Sequence, residues 1–471
     1  MMKTNKCTKA NLMAVVLLLA NGFAMAQTRN EFSARQTVEY GLKNSVVVKN
    51  ALLDIKIREQ TNREYTAAAL PQLNGSVSTT RYFDVAVQSI NNFISPATYG
   101  VLINEGVKNG NGNPIMMPNG GDFGSIPVKF GTPWTANVGL DFSQIIFDGQ
   151  VFVGLQARSA ALDLTTKTAE VTSEQIKANI YKIYYQLVVG ESQVASLQAN
   201  IERFEKLLHD TKEIFKNGFA EKLDIDKIVV QLNNIKTEKE KVLEQLHAGN
   251  AGLKFLINMP QKDELVLTDT LTEEGLKSNI LDESYNYEDR KEIQLMTIAT
   301  QLNGYNLKRY KLSRIPTISL FGSYSKNAQR NSYNFFNEGD WFTSSYVGVK
   351  MAIPLFEGFA KRARIETAKL NLEKSQNDLQ QAKESMDYDV IQARIKFRSA
   401  VLTADVQSQN IRLAEEVFNT TRKKYDQGLG SNQEIYDAQT ELKVAQTNYY
   451  NAMYDAITSR VDYLRAVGKL P

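Results

Sequence analysis

The chain has almost none of the side chains on which catalytic and disulfide-stabilised sites depend. Its 471 residues include one cysteine, Cys7, and two histidines, His209 and His247. Cys7 lies in a segment that we expect to be removed, so disulfides, thiolate nucleophiles and cysteine metal sites are excluded together. Both histidines lie in polar helical surroundings, where we expect solvated or packed side chains rather than ligands or bases. The sequence therefore predicts no enzyme, no cofactor and no metal site.

Long apolar runs are also missing, apart from one near the start of the chain. Three lysines precede the run Leu12–Ala20, and Ala24-Met25-Ala26 follows it, which is the pattern of a cleaved secretory signal. We predict a signal peptide over residues 1–26 and a mature chain from Gln27. Because no later apolar run reaches about 18 residues, no transmembrane helix is predicted, and any membrane-spanning part must consist of strands.

Charge of one sign is not in excess. Charged residues make up 23% of the chain, and the formal net charge is only +3. Nucleic-acid binding depends on a strongly basic surface, so this balance predicts no nucleic-acid partner.

The chain is a tandem duplication with a period of roughly 210 residues. Asn137–Gly149 aligns without a gap over Tyr346–Gly358, and Thr211–Ile225 aligns over Thr421–Ile435. The predicted domains are, in order, the signal peptide (1–26), a first repeat (27–260), a connector (261–288) and a second repeat (289–471). Every element should therefore occur twice.

Proline is absent from a long stretch of each repeat, and these stretches predict long helices. Gly149 and Gly218 bracket the first helix, and Gly358 and Gly428 bracket the second. At a rise of about 1.5 Å per residue, each helix is roughly 100 Å long. We predict that each turns back at Gly218 or Gly428 into an antiparallel hairpin.

The helices that follow these turns carry coiled-coil seams, with apolar or small residues at alternating three- and four-residue steps. In the second repeat the seam consists of Ile435, Ala438, Leu442, Ala445, Tyr449, Ala452, Ala456, Ser459, Tyr463 and Ala466. In the first it consists of Ile225, Ile228, Leu232, Ile235, Lys239, Val242, Leu246, Gly249, Leu253 and Leu256. Lys239 is the misfit, and it could instead face a tunnel or a groove, or be ordinary surface variation.

Shorter helices and four strands complete the plan. The predicted helices are Ser33–Ala69 and Asp289–Ser313, and the predicted strands are Gln72–Ser89, Trp134–Phe147, Thr317–Lys326 and Phe342–Phe356. A glycine-, asparagine- and proline-rich loop, 91–133, separates the first two strands. Val138, Leu140 and Phe142 should share one face of their strand, with polar residues on the other. We expect the short helices to stack end to end along the long ones, with the connector beside their middle.

Four motifs together resemble the TolC family of outer-membrane efflux proteins. They are the strand-to-helix turns Ile145–Gly149 and Ile353–Gly358, the segment Tyr425–Leu442 and its weaker copy Phe215–Leu232. With the secretory signal, the resemblance covers essentially the whole mature chain. It implies a mostly α protein with a membrane β-barrel portion: long antiparallel coiled-coil hairpins and four strands per protomer, assembled as a trimeric twelve-stranded barrel and an α-helical tunnel.

The resemblance also implies location and partners. We expect a homotrimer in the outer-membrane lipid, with helices extending into the periplasm, that meets a periplasmic adaptor and an inner-membrane pump of the RND or ABC class. It would act as a passive conduit that carries small molecules from the periplasm or a pump to the exterior, and the sequence does not identify the cargo. The alternative is the outer-membrane component of type I protein secretion. A structural periplasmic coiled-coil protein would explain the helices but not the strands.

The same resemblance assigns roles to residues of this chain. The strand-to-helix turns are Asp148-Gly149 and Glu357-Gly358, and the hairpin tips that would meet the adaptor are Gly218-Phe219 and Gly428-Leu429. Family members carry two aspartates just beyond the second tip, at positions that match Glu434 and Asp437; the first repeat has Asp224 and Lys227 there. These four residues are expected to form the pore constriction. The simpler alternatives are ordinary hairpin turns and solvated helix charges.

Overall fold

The computed structural model describes residues 29–118, 123–270, 285–337 and 339–471. The predicted signal peptide and residues 271–284 of the connector lie outside the described residues. The helices are α1 (Ala34–Asn44), α2 (Val46–Ala67), α3 (Ile94–Asn104), α4 (Gly149–Lys216), α5 (Lys222–Leu256), α6 (Lys291–Leu312), α7 (Ala360–Asp426) and α8 (Asn432–Ala466). The strands are β1 (Arg29–Phe32), β2 (Gln72–Arg81), β3 (Val87–Asn91), β4 (Ser125–Lys129), β5 (Trp134–Phe147), β6 (Glu264–Leu267), β7 (Thr317–Arg330) and β8 (Phe342–Ala352).

The chain divides into two compact units. The helical unit contains the chain up to Thr61, Ala157–Leu307 and Thr367–Pro471, and the sheet unit contains Asn62–Gln156 and Lys308–Glu366. Each repeat contributes to both units. The mostly helical fold with four long strands, predicted from the sequence, is confirmed.

The sheet unit is built on an antiparallel sheet in the order β2-β5-β7-β8. The bounds of β5 are those predicted, whereas β7 continues to Arg330, four residues beyond the predicted end. The predicted end of β8 at Phe356 is wrong, because the strand stops at Ala352. Pro354 explains this end, since proline has no N–H to donate to a neighbouring strand.

The region between β2 and β5 differs most from prediction. The strand predicted to reach Ser89 ends at Arg81, and the predicted loop contains α3 and β4. β3 pairs with β4 as an antiparallel ribbon, from Val87 opposite Lys129 to Asn91 opposite Ser125. This ribbon was not predicted because its strands are short and are separated by 33 residues along the chain. A short hairpin turn, which would have indicated the pairing, does not connect them.

The helical unit contains the two predicted hairpins. α4 with α5 and α7 with α8 form them, and the seam positions are buried or half-buried from end to end. Lys239, the misfit, donates a hydrogen bond from Nζ to Gln198 Oε1 across the first hairpin at 2.8 Å. The polar position is therefore satisfied within the hairpin.

The helix predicted over Ser33–Ala69 is wrong in one respect, because it breaks at Ser45 into α1 and α2. The Ser45 backbone is extended, with ψ 129°, while its N–H still donates to Gly41 O at 2.7 Å. Asn258, just beyond α5, donates to the Asn44 carbonyl at 3.2 Å, so the end of α5 meets this break. In the second repeat, Gly468 after α8 lies against Asp289, just before α6. The ends of the short helices thus meet as predicted.

The connector packs beside the middle of both long helices, α4 and α7. β6 pairs in parallel with β1, and Tyr184 of α4 donates from its hydroxyl to Phe32 O at 2.9 Å. The hydroxyls of Tyr285 and Tyr287 donate to the two carboxylate oxygens of Asp387 on α7, at 2.7 and 2.8 Å. We call this second contact the tyrosine clamp. Its bond to Asp387 raises the pKa of Tyr285 to about 12.

Candidate functional site

The four-stranded sheet has one apolar face and one polar face. Register across all four strands places apolar side chains on one face: Leu73, Val77, Val138, Leu140, Phe142, Leu320, Tyr324, Val347 and Val349. The other face carries Asn74, Ser76, Ser78, Asn137, Asp141, Ser143, Ser323, Ser325, Asn327 and Lys350. Val77 is 81% exposed and Val347 is 75% exposed. The sheet thus presents a broad apolar surface that the described part of the chain leaves exposed.

Both edges of this sheet are open. β2 and β8 are the outer strands, and within the described ranges neither pairs with a further strand of the sheet. Open edges present unpaired backbone N–H and C=O groups that favour pairing with another chain. At one end of the strands Trp134, Tyr333, Phe335 and Trp341 form an aromatic cluster, in which the Trp134 and Tyr333 ring centroids lie 5.0 Å apart.

The two strand-to-helix turns are less alike than their sequences. Asp148 lies directly between β5 and α4, and its Oδ1 accepts from Gln150 N at 2.8 Å, which caps the helix. A Cβ at Gly149 would lie 2.8 Å from Leu312 Cβ, so glycine is needed there for close packing. In the second repeat seven residues separate β8 from α7, and Gly358 takes a left-handed φ of 56°. Glu357 there pairs with Lys361 at 2.9 Å.

The hairpin tips share one backbone motif. Gly218 has φ 80° and Gly428 has φ 73°. The N–H of each following residue, Phe219 or Leu429, donates to the carbonyl five residues earlier, at 3.1 and 2.9 Å. This is a Schellman C-cap, in which glycine tolerates the left-handed conformation. The cap presents Phe219 at 86% exposure and Leu429 at 72%.

The charged residues near the tips are placed as follows. Glu434 and Asp437 are exposed on the first turns of α8. Glu434 accepts from Lys424 Nζ of α7 at 3.3 Å, and Asp437 Oδ1 accepts from Gln433 at 2.8 Å. Lys424 was not predicted from the sequence, because its partner lies ten residues away across the hairpin turn.

In the first repeat, the matching positions are Asp224 and Lys227. Asp224 Oδ2 accepts from Glu221 N at 3.1 Å and so caps α5, while Lys227 is exposed. Among the described residues of one chain, no hydrogen bond or ion pair joins Lys227 to Glu434 or Asp437. A shared ring of these groups therefore requires other copies of the chain.

A polar contact joins the two hairpins. Asn200 of α4 donates to Gln446 of α8 at 2.7 Å and accepts from Gln439 at 3.1 Å, and all three side chains are buried. Ser196 and Tyr450 share a further hydrogen bond of 2.5 Å. Each hairpin is held by an apolar seam, whereas these contacts between the hairpins are polar.

α7 also carries an apolar stripe that the described residues of the chain leave exposed. The stripe consists of Ile391, Ile395, Leu402, Val406, Leu413 and Val417, each between 45% and 61% exposed. The members recur at intervals of four and seven residues, so that they lie along one side of the helix. We call this set the α7 stripe.

The described residues contain neither a metal-binding cluster nor a membrane-spanning helix. No cluster of three or more histidine, cysteine, aspartate or glutamate side chains is placed to hold a metal ion there. None of the described helices has an apolar stretch of the length needed to cross a membrane.

The chain is similar in sequence to known outer-membrane and secretion proteins. Residues 290–469 match the family model described as outer membrane efflux protein. The outer membrane protein TolC of Vibrio cholerae is 19% identical over 341 residues, which are 71% of this chain and 77% of that protein. The alkaline protease secretion protein AprF of Pseudomonas aeruginosa is 20% identical over 339 residues, 70% of this chain and 68% of its own.

Solved structures match over nearly the full length. The crystal structure of CusC, from a study of its folding and transmembrane channel formation, superposes with a TM-score of 0.72 at 16% identity. The match covers 94% of this chain and 95% of CusC. At this identity the likeness establishes the fold, including the helical hairpins and the strand portion.

Proposed function

We propose, from the premise that this chain is a TolC-family outer membrane efflux protein, that it forms a homotrimeric conduit from the periplasm to the exterior. The protein is a channel of the cell outer membrane, whose helices extend into the periplasm. The strands cross the lipid, and the hairpins line a periplasmic tunnel. The channel itself is passive: small molecules enter it from the periplasm or from a pump in the inner membrane and leave to the exterior.

The two-faced sheet with open edges carries this proposal. Lipid offers no hydrogen bonds to backbone groups, so a sheet in a membrane must close on itself. Four strands are too few to enclose a lumen, and three copies give twelve. Closure of β2 of one copy onto β8 of the next leaves the apolar face toward lipid and the polar face, with Asn137 and Asp141, toward the lumen.

The α7 stripe supports the same assembly in the helices. Its apolar side chains extend from Ile391 to Val417, which spans roughly 40 Å of helix. Such a continuous exposed stripe is unfavourable in water and marks an interface. A neighbouring copy covers it in the proposed trimer.

The hairpin tips are the proposed contact with the adaptor. Phe219 and Leu429 are exposed apolar side chains held in place by rigid glycine caps. Pairs of exposed apolar residues at fixed tips suit insertion into a partner surface. A periplasmic adaptor and an inner-membrane pump of the RND or ABC class complete the system.

The pore constriction is proposed at Glu434 and Asp437. These residues lie three apart on α8, so their carboxylates share one side of the helix. Threefold symmetry would bring six carboxylates together, which attracts cations and favours block by multivalent cations. Asp224 and Lys227 of the first repeat would flank this ring.

A second cargo class is favoured by one relative. AprF of Pseudomonas aeruginosa is named as an alkaline protease secretion protein, and this chain matches it at a level close to that of TolC. The alternative function is therefore the outer-membrane step of type I protein secretion. The two functions use the same conduit and differ in the pump recruited.

Recording from planar bilayers tests the conduit. Purified protein reconstituted from detergent should give discrete single-channel conductance that depends on the protein. A protein that stays in the soluble periplasmic fraction and gives no conductance would instead support a structural coiled coil. Drug accumulation and protein secretion, compared in cells lacking the gene, then distinguish the two cargo classes.

A further inference from the structure

The segment between β2 and β5, residues 82–133, is an insert with its own structure. It leaves the sheet at the aromatic end, where Tyr82 N donates to Pro133 O at 2.7 Å. At its base the Arg81 guanidinium carbon lies 4.9 Å from the centroid of the Phe83 ring and 5.4 Å from that of the Trp134 ring. The backbone bends at Phe83 and Asp84, before the β3–β4 ribbon begins. We call this segment the β2–β5 insert.

Defined side-chain contacts hold the helix α3 in this insert. Asn92 Oδ1 accepts from Ser95 N at 3.0 Å, and Asn92 Nδ2 donates to Ser95 Oγ at 2.9 Å, so the start of the helix is fixed. Tyr99 packs on Phe123, with ring centroids 5.5 Å apart. One side of α3 is thereby turned toward the rest of the insert, and the other side is set outward.

The outward side of α3 is apolar and uncharged. Phe93 is 65% exposed, Ile94 is 53% exposed and Val101 is 63% exposed, and no residue of α3 is buried. No charged residue occurs from position 85 to position 104. An eleven-residue helix is marginal in water by itself. A side of a helix that carries no charge and few polar groups suits an apolar environment.

The position of the insert indicates that this environment is the membrane. It follows directly from the strands that carry the exposed apolar face, on which Val77 of β2 pairs with Val138 of β5. The aromatic residues at its base, Tyr82, Phe83 and Trp134, are of the type that lies at membrane interfaces. The insert is thus continuous with the surface that the proposed function places in lipid.

We propose that α3 lies at the lipid surface, with Phe93, Ile94 and Val101 against the acyl chains. It would anchor the β2–β5 insert beside the mouth of the channel. Attraction to anionic headgroups is not required, because the binding surface has no cationic residue, and zwitterionic lipid should suffice. This inference rests on the proposed function, since it takes the neighbouring sheet to be in a membrane.

Site-specific fluorescence tests the inference. The chain from Gln27 onward has no cysteine, so single cysteines can be introduced and labelled with an environment-sensitive dye without other changes. Three variants of the full protein are reconstituted in phosphatidylcholine vesicles: Val101→Cys on α3, Val347→Cys on the apolar face of the sheet, and Asn111→Cys in the exposed part of the insert. Lipids with a nitroxide on the acyl chain then serve as quenchers.

Dye at Val101 should show a blue shift and a loss of fluorescence on quenching comparable to those at Val347, while dye at Asn111 shows neither. If Val347 reports lipid and Val101 reports water, the inference is wrong and the proposed function stands. If Val101→Cys instead forms disulfides between copies, α3 packs on a second copy and the inference is also wrong. If Val347 itself reports water, both the inference and the proposed function are overturned.

Discussion

Asn200 on α4 and Gln446 on α8 are joined by a 2.7 Å hydrogen bond between Asn200 Nδ2 and Gln446 Oε1, and both side chains are buried. Gln439 donates to the same Asn200 side chain at 3.1 Å. These amides lie between two hairpins whose own seams are apolar. The contact therefore favours one register of the hairpins, because only that alignment brings these buried amides within hydrogen-bond distance of one another.

Replacing Asn200 should destabilise the protein. In Asn200→Leu the amides of Gln439 and Gln446 stay buried without this partner, which costs about 1–3 kcal/mol. We expect a lower apparent Tm of the detergent-solubilised protein. Asn234→Leu, on an exposed position of α5, is the control and should change stability by about 0.5 kcal/mol or less. Equal Tm values for the two variants would show that the buried amides do not hold the hairpins together.

The tyrosine clamp should make stability depend on pH at the alkaline end. The bond to Asp387 raises the pKa of Tyr285 from its ordinary value near 10 to about 12. The neutral phenol is favoured in the folded state, so its contribution is complete below pH 10 and is lost as pH rises toward 12. Asp387→Asn should lower the Tm at neutral pH and reduce its decline between pH 10 and 12. Parallel Tm profiles for the variant and the wild type would contradict this account.

The tips should matter for transport and not for folding. Phe219→Asp combined with Leu429→Asp places charges where an apolar partner surface is expected, and we predict loss of drug efflux with unchanged trimer levels. Phe219→Met with Leu429→Met keeps apolar tips and is the matched control. Resistance is measured in cells, and the trimer is measured by cross-linking. Unchanged resistance in the Asp variant would exclude tip docking.

The carboxylates on α8 should control ion passage. Glu434→Gln with Asp437→Asn is predicted to weaken cation selectivity and to remove block by trivalent cations in single-channel recordings. Lys424→Gln tests the ion pair between Lys424 and Glu434, whose atoms lie 3.3 Å apart. Loss of this pair leaves the Glu434 carboxylate without its cationic partner and should strengthen block by trivalent cations. Because this pair is about half exposed, its effect on stability should be only about 0–1 kcal/mol. Unaltered block in the double variant would place the constriction elsewhere.

Periodicity predicted the long elements well, for reasons visible in particular residues. Leu442 and Leu253 are fully buried seam positions. The seam repeats over ten positions in each repeat, with Lys239 as the one misfit, and a periodic signal of this length indicates the helix register clearly. β5 was also predicted to the residue, since its alternation is bounded by the Asp148 cap. Gly218 and Gly428 were predicted as turns, and both have the left-handed φ that favours glycine.

Individual contacts between distant segments were not predicted, although the end-to-end stacking of the short helices was. The break at Ser45 depends on the approach of Asn258, the β3–β4 ribbon depends on two short segments meeting, and Lys424 reaches Glu434 only after the hairpin forms. Such contacts leave little local pattern, because each depends on the tertiary fold. The roles of the tips and of the carboxylates stay predictions that the experiments above address.

The mass of the purified protein tests the central claim most directly. Light scattering of detergent-solubilised protein, corrected for bound detergent, should give three times the mass of the mature chain. The mass of the mature chain is the 53.0 kDa of the full chain minus the mass of the signal peptide. Leu402→Asp in the α7 stripe should shift the mass toward the monomer, while Lys396→Asp, at an exposed position between stripe residues, should not. A wild-type protein that is a monodisperse monomer, stable in buffer without detergent, would contradict the account.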